Sequence, residues 1–400
     1  MVSQTLYLFN PEHDLALASG EENYMAPASA RRMAEELALL PMWYAEEGSC
    51  VLAPSAYNLD FLHRMNGLLG VGVGLLTEPE LATTSIKEIH PWGWDKSLCR
   101  RLFAAGVEES CLPSAAELAL YRIHSHRLQA VEVLSLLRGE NLLCGESYYL
   151  QTPDEWQRFV ESQDSCLLKA PLSGSGKGLN WCKGVLTPSI SGWCARVAAT
   201  QGGVIGEPIY NRIADFAMEF WSDGKGGVTF VGYSLFRTGR SGMYEGNRLF
   251  TNEAICRYLC QYVPLEVLTA LQRRLSLLLS ERIGAFYKGY LGVDMMVCRF
   301  SSADGEPYRI HPCVEINLRM NMGVLSRVFC DRYVHPASSG SFGIDYNPAE
   351  GAVLQKHRQW SETYPLVVRE GKIISGYLPL VPVHKKSSYW AWALLACTEE

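Results

Sequence analysis

The sequence lacks the long hydrophobic runs of a membrane-spanning chain, since none of its 400 residues lies in an apolar stretch of about 18 positions. The first residues also lack a basic region followed by an apolar stretch, so we expect no signal peptide. Basic residues are not in excess: 36 Lys and Arg stand against 42 Asp and Glu, a formal charge of −6. This balance argues against a general nucleic-acid binder.

Two nucleotide-binding signatures are also missing. No Gly-x-Gly-x-x-Gly follows the first strand-like run, which excludes the usual dinucleotide fingerprint there. The glycine-rich stretch after residue 170 has Pro171 where a Walker A motif needs its first glycine, and Gly178 where that motif needs Ser or Thr. A P-loop kinase is therefore disfavoured.

The 13 cysteines form no zinc-binding pattern. Cys256 and Cys260 lie four residues apart, and we interpret them as small hydrophobic side chains on one helix face. A chain that is rich in cysteine and shows no export signal is expected in a reducing compartment, here the cytoplasm.

The N-terminal third alternates strand-like and helix-like segments. Residues 5–9 and 50–53 are short apolar runs that each end at a proline or Asn-Pro, and residues 28–40 have the apolar spacing of a helix. This alternation predicts an α/β fold with a doubly wound parallel sheet.

The middle of the chain has the signals of an α+β region. Capping boxes at Ser114 and Thr152 open two helices, the first expected to run to about residue 137. Strands are predicted at 166–169, 292–300 and 308–318, and a long helix begins near Pro264. We expect four segments, with a C-terminal extension on the core: 1–112, 113–205, 206–335 and 336–400.

The strand at 166–169 ends in a lysine and runs into a loop of small residues. Successive backbone N–H groups in such a loop can cradle a phosphate, although a flexible connection is the other interpretation. A charge at the end of an apolar strand, here that of Lys169, is costly unless it meets an anion. The loop consists of Ser173, Gly174, Ser175, Gly176, Lys177 and Gly178.

Two carboxylates are predicted to face each other on a hairpin. If Asp304-Gly305 is a two-residue turn, Asp294 lies directly opposite Glu315, with Asn317 on the same face. Opposed like charges destabilise a hairpin unless a cation lies between them, and oxygen ligands suit Mg²⁺. The alternative is an exposed hairpin whose carboxylates meet by chance.

These segments together resemble the ATP-grasp superfamily over residues 113–330. The resemblance rests on four stretches: Leu168-Lys169-Ala170-Pro171 with the following loop, Gly206-Glu207-Pro208-Ile209, Gly292-Val293-Asp294, and Glu315-Ile316-Asn317-Leu318-Arg319. It implies that ATP lies between two α+β subdomains.

The resemblance also implies roles for individual residues. Lys169 would contact the ATP phosphates and the adenine side, and the loop from Ser173 to Gly178 would fold over the phosphates. Glu207 to Ile209 would form the hinge that reads adenine. Asp215 would contact the ribose. Asp294, Glu315 and Asn317 would bind Mg²⁺, with Mn²⁺ as a substitute. Arg319, two residues past Asn317 and so expected on the same strand face, would stabilise an acyl phosphate or its attack. The family often has a lysine near the start of the linking helix; Arg127 takes that place here, but we favour an exposed helix charge for it.

Three further groups of residues remain open between a functional and a structural role. Arg240 lies in a basic, glycine-punctuated loop that either clamps a γ-phosphate or substrate carboxylate or is simply exposed. His13 and Asp14 follow the first strand, where open α/β sheets bind ligands, although a surface histidine and a helix-start aspartate are favoured. His311 either lines the site or, as we favour, is a core histidine.

The pattern as a whole predicts an ATP- and Mg²⁺-dependent ligase. A small-molecule or peptide carboxylate would be activated as an acyl phosphate and attacked by an amine or a thiol. The alternatives are an ATP-binding regulatory protein without ligation and a small-molecule kinase on the same scaffold. Nucleic acid and membrane are not expected as partners, and the sequence predicts neither the substrates nor the oligomeric state.

Overall fold

A computed structural model of the chain describes residues 4–139, 142–174, 178–239, 242–301 and 305–397. The strands are β1 (Gln4–Leu8), β2 (Cys50–Ala53), β3 (Gly74–Thr77), β4 (Ile86–Pro91), β5 (Tyr148–Leu150), β6 (Cys166–Lys169), β7 (Leu179–Cys182), β8 (Val204–Pro208), β9 (Arg212–Asp223), β10 (Val228–Thr238), β11 (Tyr244–Leu249), β12 (Lys288–Arg299), β13 (Tyr308–Asn317), β14 (Ser338–Tyr346), β15 (Val367–Arg369), β16 (Lys372–Pro379) and β17 (Tyr389–Cys397). The helices are α1 (His13–Ser19), α2 (Ala28–Glu36), α3 (Leu59–Leu69), α4 (Lys96–Ala104), α5 (Ala115–His124), α6 (Leu128–Leu137), α7 (Pro153–Glu161), α8 (Pro188–Gln201), α9 (Asn252–Leu259), α10 (Leu265–Ile283), α11 (Met322–Tyr333) and α12 (Ala352–Thr363).

The chain divides into two compact units. The first unit comprises Met1–Leu118, Glu245–Ile255 and Arg319–Glu400, and the second comprises Ala119–Tyr244 and Cys256–Leu318. The four-part division expected from the sequence stays a prediction. Within the described ranges, no helix is both long and apolar enough to cross a membrane.

The first unit contains the parallel sheet that the N-terminal alternation predicts, in the order β3-β2-β1-β4. Its central strands are apolar on both faces, and Leu6 and Leu8 of β1 are buried with Ile89 of β4. The strand order reverses beside β1, so the crevice at the carboxyl ends of β1 and β4 is where such sheets bind ligands. The same unit holds antiparallel strands in the order β11-β14-β17-β16-β15.

The second unit contains an antiparallel sheet in the order β5-β8-β6-β7 and longer antiparallel strands in the order β13-β12-β9-β10. Side chains alternate between the two faces of these longer strands. Phe216, Met218 and Phe220 of β9, with Leu291 and Val293 of β12, form a buried apolar face. Helix α10 packs against β9 and β10. The residues between these apolar positions point to the opposite face, which carries the polar groups described below.

The helix expected from 114 to 137 is interrupted, and two helices, α5 and α6, take its place. The capping box at Ser114 is present, because Glu117 accepts bonds from the backbone and hydroxyl of Ser114. The break arises because the Arg127 N–H bonds Pro171 O at 3.0 Å, outside the helix. This interruption places Arg127 at the start of α6.

Candidate active site

The two carboxylates of the predicted hairpin face each other. Asp294 of β12 lies directly opposite Glu315 of β13, as expected. The register derived from a turn at Asp304-Gly305 is nevertheless wrong near the loop, where Arg299 faces Tyr308, two residues from the expected partner. Asp304 itself lies outside the described residues.

A β-bulge restores the pairing. Asp294 faces Glu315 and Met296 faces His311, so residues 312–314 of β13 lie opposite Met295 alone. The two additional residues compensate the two-residue error at the loop. Bulges of this kind re-aim side chains and are frequent beside active sites.

The register assigns several polar groups to one face of the second unit. Gly292 faces Asn317 on one side and Glu219 on the other, and it is two residues from Asp294. Glu219, Asp294, Glu315 and Asn317 therefore share this face. Two opposed carboxylates with a neighbouring amide are hard oxygen donors of the kind that Mg²⁺ binds.

Glu219 is a functional candidate that sequence reasoning missed. Its side chain is 1% exposed and accepts a 2.7 Å hydrogen bond from the Ser234 hydroxyl. The signal was a lone carboxylate within the apolar run 216–221. Among the described residues, no three His, Cys, Asp or Glu side chains cluster as metal ligands.

Lys169 and Glu207 form a buried ion pair. The Lys169 ammonium lies 2.6 Å from Glu207 Oε2, and each residue is 6% exposed. Their strands, β6 and β8, are antiparallel neighbours. The Ser147 hydroxyl donates a longer bond, 3.3 Å, to Glu207 Oε1. In the structure the anion that meets Lys169 is a protein carboxylate, and the contact of Lys169 with ATP stays a prediction.

The glycine-rich segment is described at its two ends. Ala170 N–H donates to Gly178 O at 2.8 Å, which brings the segment's far end back to β6. Gly178 has φ +71°, and a Cβ there would lie 3.1 Å from Ala170 and Ser173. A side chain at 178 would thus fill the turn. Ser175, Gly176 and Lys177 lie outside the described residues.

The interpretation of Arg127 as an exposed helix charge is wrong. Its side chain is 6% exposed, and its guanidinium lies 2.7 Å from Glu315 Oε1. The α5–α6 break directs it inward, where it also bonds the start of the glycine-rich segment at Ser173. The sequence signal was present, since an arginine stands where the family that the motifs resemble often has a lysine. No single pattern could show that this arginine is buried.

Asp215 and Ile209, which are predicted to contact the ribose and adenine, are less buried than Lys169 and Glu207. Asp215 lies on the polar face opposite Met296, and burial raises the pKa of its carboxyl above the ordinary value, against the lowering effect of Thr238 and Arg212. Ile209 is 40% exposed, and its N–H lies 3.4 Å from Ser165 O. Their contacts with ribose and adenine stay predictions.

His311 is buried, as we favoured, but it also faces the site. Because it pairs with Met296, it lies on the same face as Asp294. The residue is 0% exposed, and within the described part of the chain neither ring nitrogen has a hydrogen-bond partner. Burial lowers the pKa of its imidazole to about 4, so the ring is neutral at pH 7. Tyr210 packs edge-on at 5.7 Å.

In the first unit, Arg319 pairs with a residue that follows β1. Its Nε and Nη2 each donate a 2.8 Å bond to the Asp14 carboxylate. The expectation that Arg319 continues the strand face of Asn317 is wrong. Strand β13 ends at Asn317, and the Met320 N–H bonds Trp92 O at 2.9 Å. Its catalytic role stays a prediction, and Arg240 lies outside the described residues.

The crevice beside β1 contains further buried polar groups. His13 is not the surface residue that we favoured, since it is 2% exposed and its Nδ1 lies 3.5 Å from Asp95 Oδ2. Burial raises the pKa of the Asp95 carboxyl, but hydrogen bonds from His13 and Ser97 outweigh it and hold that pKa below the ordinary value. Asn10 donates to Gly93 O at 2.8 Å. The ends of β1 and β4 are thus joined by side chains.

Comparison with known proteins finds matches among solved structures alone. No protein-family model matches the sequence, and no curated protein matches it. The chain is similar to N5-carboxyaminoimidazole synthetase from Staphylococcus aureus complexed with ADP, with 11% identity, a TM-score of 0.49, and 100% of this chain and 95% of that one covered. It is similar to a biotin carboxylase–β,γ-ATP complex from Campylobacter jejuni, with 12% identity, a TM-score of 0.49, and 98% and 87% covered.

A third similar structure is N5-carboxyaminoimidazole ribonucleotide synthetase from Thermus thermophilus, with 12% identity, a TM-score of 0.48, and 98% and 93% of the chains covered.

Proposed function

We propose that the chain is an ATP- and Mg²⁺-dependent ligase, which activates a carboxylate as an acyl phosphate for attack by an amine or a thiol. The observation that carries the proposal is the opposed pair of Asp294 and Glu315, in the unit that also holds the buried Lys169–Glu207 pair. A hairpin with facing carboxylates is stable when a cation or a basic group neutralises them.

The donor set fits a hard divalent cation. Asp294, Glu315 and Asn317 would hold Mg²⁺ or Mn²⁺ through oxygen atoms, and the metal would neutralise charge on the phosphates. The ATP phosphates would bind beside Ser173 and Gly178, because small residues let a backbone approach a ligand closely, and a Cβ at Gly178 would lie 3.1 Å from Ala170 and Ser173. The chain's own part in phosphoryl transfer is then to position the reactants and to neutralise their charge.

In this proposal the base of the nucleotide binds beside the buried pair of Lys169 and Glu207, on the β5-β8-β6-β7 sheet of the second unit. Lys169 and Glu207 supply a donor and an acceptor, both removed from water, and a buried pair of this kind contributes little net stability. A hydrogen-bonding ligand would give this buried ion pair a role in binding. In this arrangement Ile209 forms part of the hinge and Asp215 contacts the ribose.

The second substrate is proposed to bind in the first unit, at the crevice beside β1. Position supports this, because the strand order reverses there and the buried groups Asn10, His13 and Asp95 meet. Arg319, held by Asp14, would stabilise the acyl phosphate, and Arg240 would bind a phosphate or substrate carboxylate. The twelve cysteines from Cys50 to Cys330 are free thiols in the structure, which supports the proposed cytoplasmic location.

Product analysis tests the proposal. Amino acids and dipeptides are supplied in pairs with Mg-ATP, and ADP, phosphate and the joined product are measured. Phosphate release that requires two substrates is the expected result. ADP with a phosphorylated product and no free phosphate would make the protein a kinase, and tight ATP binding without turnover would make it a regulator.

Matched variants separate the metal site from general loss of folding. Glu315→Gln should abolish turnover, whereas Glu306→Gln, which removes an exposed carboxylate from the same hairpin, should leave turnover unchanged. Equal turnover in both variants would contradict the role given to Glu315.

A further inference from the structure

The guanidinium of Arg127 joins two parts of the second unit that are far apart in sequence. Its Nη1 donates to Ala170 O at 2.6 Å and to the Ser173 hydroxyl at 2.7 Å. Its Nη2 donates to Ser173 O at 3.0 Å and to Glu315 Oε1 at 2.7 Å. One side chain therefore bonds both the start of the glycine-rich segment and a carboxylate of the proposed metal site.

The fork geometry makes these contacts possible together. A planar guanidinium presents its donors in fixed directions, whereas an ammonium offers a single point charge. The remaining donor, Arg127 Nε, is buried and has no acceptor among the described residues. A group of this kind is strongly biased toward a further anionic oxygen.

The charge of Arg127 bears directly on cation binding. Asp294 and Glu315 face each other, and Arg127 supplies positive charge to the second of them at hydrogen-bonding distance. A divalent cation held by the same carboxylates would meet repulsion from the guanidinium and would share Glu315 with it. Any shift of Glu315 toward the cation also weakens its hydrogen bond with the Arg127 guanidinium, which in turn holds Ser173.

We infer that Arg127 couples the carboxylate pair's affinity for a divalent cation to the placement of Ser173, at the start of the glycine-rich segment. The inference rests on the proposed function, since it takes Asp294 and Glu315 as cation ligands. Arg127 lowers the affinity for the cation alone and raises the affinity for the cation with nucleotide, because phosphate oxygens and Nε complete its bonding.

The two effects have opposite signs, and a purely structural arginine would not produce them. Loss of a structural contact weakens both kinds of binding, because it loosens the site as a whole. Loss of the coupling residue should tighten Mn²⁺ alone and weaken Mn²⁺ with a non-hydrolysable ATP analogue. Binding, not turnover, is therefore the quantity to measure.

The test uses the full chain with Mn²⁺ as the probe, and free Mn²⁺ is followed by electron paramagnetic resonance with and without the ATP analogue. Arg127→Gln should bind Mn²⁺ alone about tenfold more tightly than the natural chain and the Mn²⁺–analogue complex at least tenfold more weakly. Arg158→Gln removes an exposed charge elsewhere in the second unit and should change neither affinity.

Arg127→Lys keeps the positive charge but lacks the planar guanidinium, and it tests the inference if Arg127→Gln does not fold. We expect its affinity for Mn²⁺ alone to stay within about threefold of the natural chain while the affinity for the complex falls. Unchanged or weaker binding of Mn²⁺ alone by Arg127→Gln, or unchanged binding of the complex by Arg127→Lys, would overturn the inference. Absence of Mn²⁺–analogue binding by the natural chain would instead overturn the proposed function.

Discussion

The buried pair of Lys169 and Glu207 allows a ligand-binding role to be separated from a stabilising one. Three variants are needed: Lys169→Met, Glu207→Met and the two combined. Each single change leaves a charge in a place that is 6% exposed. Breaking a buried ion pair on one side is expected to lower the free energy of unfolding by about 3–5 kcal/mol.

The double variant should behave differently. It removes both charges at once, and neutral replacement of a buried pair is typically neutral or stabilising by about 1–4 kcal/mol. For a unit of this size, 1 kcal/mol corresponds to roughly 2–4 °C in Tm. The single variants should therefore unfold roughly 6–20 °C lower than the natural chain, and the double variant at or above its Tm.

Scanning calorimetry measures stability, and titration calorimetry with an ATP analogue measures affinity. All three variants should bind the analogue at least about tenfold more weakly, since a donor or an acceptor for the ligand is missing from each. A double variant that is destabilised by the sum of the two single effects would make the pair a structural element. A double variant with natural affinity would remove both residues from the nucleotide site.

Three further predictions follow from single positions. The imidazole of His311 has a pKa of about 4 in the folded chain against 6.5 in the unfolded one, so the free energy of unfolding should fall by about 3 kcal/mol at most as pH drops from 6.5 to 4. In denaturation at pH 7 and pH 4.5, His311→Leu should lose less of this free energy than the natural chain, and equal losses would refute the prediction. Gly178→Ala should weaken binding of the ATP analogue in titration calorimetry, because its Cβ meets Ala170 and Ser173. Gly139→Ala, also at positive φ but in open space, should not weaken it, and equal affinities of the two variants would refute a phosphate site at Gly178. Arg319→Lys should lower kcat by about 10²–10³ with little change in Tm, and a lower Tm with near-normal kcat would make Arg319 only the partner of Asp14.

Local patterns predict much of this fold because the signals involved are local. The short strand at 50–53 and the capping boxes at Ser114 and Thr152 appear where expected. Each depends on neighbours within a few residues along the chain. The parallel sheet follows from the alternation of strands and helices.

Features that depend on distant residues could not be predicted in the same way. The break before Arg127 arises from a backbone bond to Pro171, more than 40 residues away. The opposition of Asp294 and Glu315 was predicted correctly from an incorrect loop register, because the bulge at residues 312–314 cancels the error. The alternation of side chains along a strand does not show where such a bulge occurs.

The polar face of the second unit was only partly visible in the sequence. Asp294, Glu315 and Asn317 stand in strand alternation and could be assigned to one face. Glu219 belongs to the same face only through the pairing of β9 with β12. Strand order brings it there, and strand order is a property of the folded sheet.

The measurement that tests the central claim most directly is the dependence of nucleotide affinity on the divalent cation. The affinity for a non-hydrolysable ATP analogue is determined by titration calorimetry with and without Mg²⁺, for the natural chain, Glu315→Gln and Glu306→Gln. Mg²⁺ should raise the affinity at least about tenfold in the natural chain and in Glu306→Gln, and by less than about threefold in Glu315→Gln. The same Mg²⁺ effect in all three proteins would contradict a metal site at the facing carboxylates.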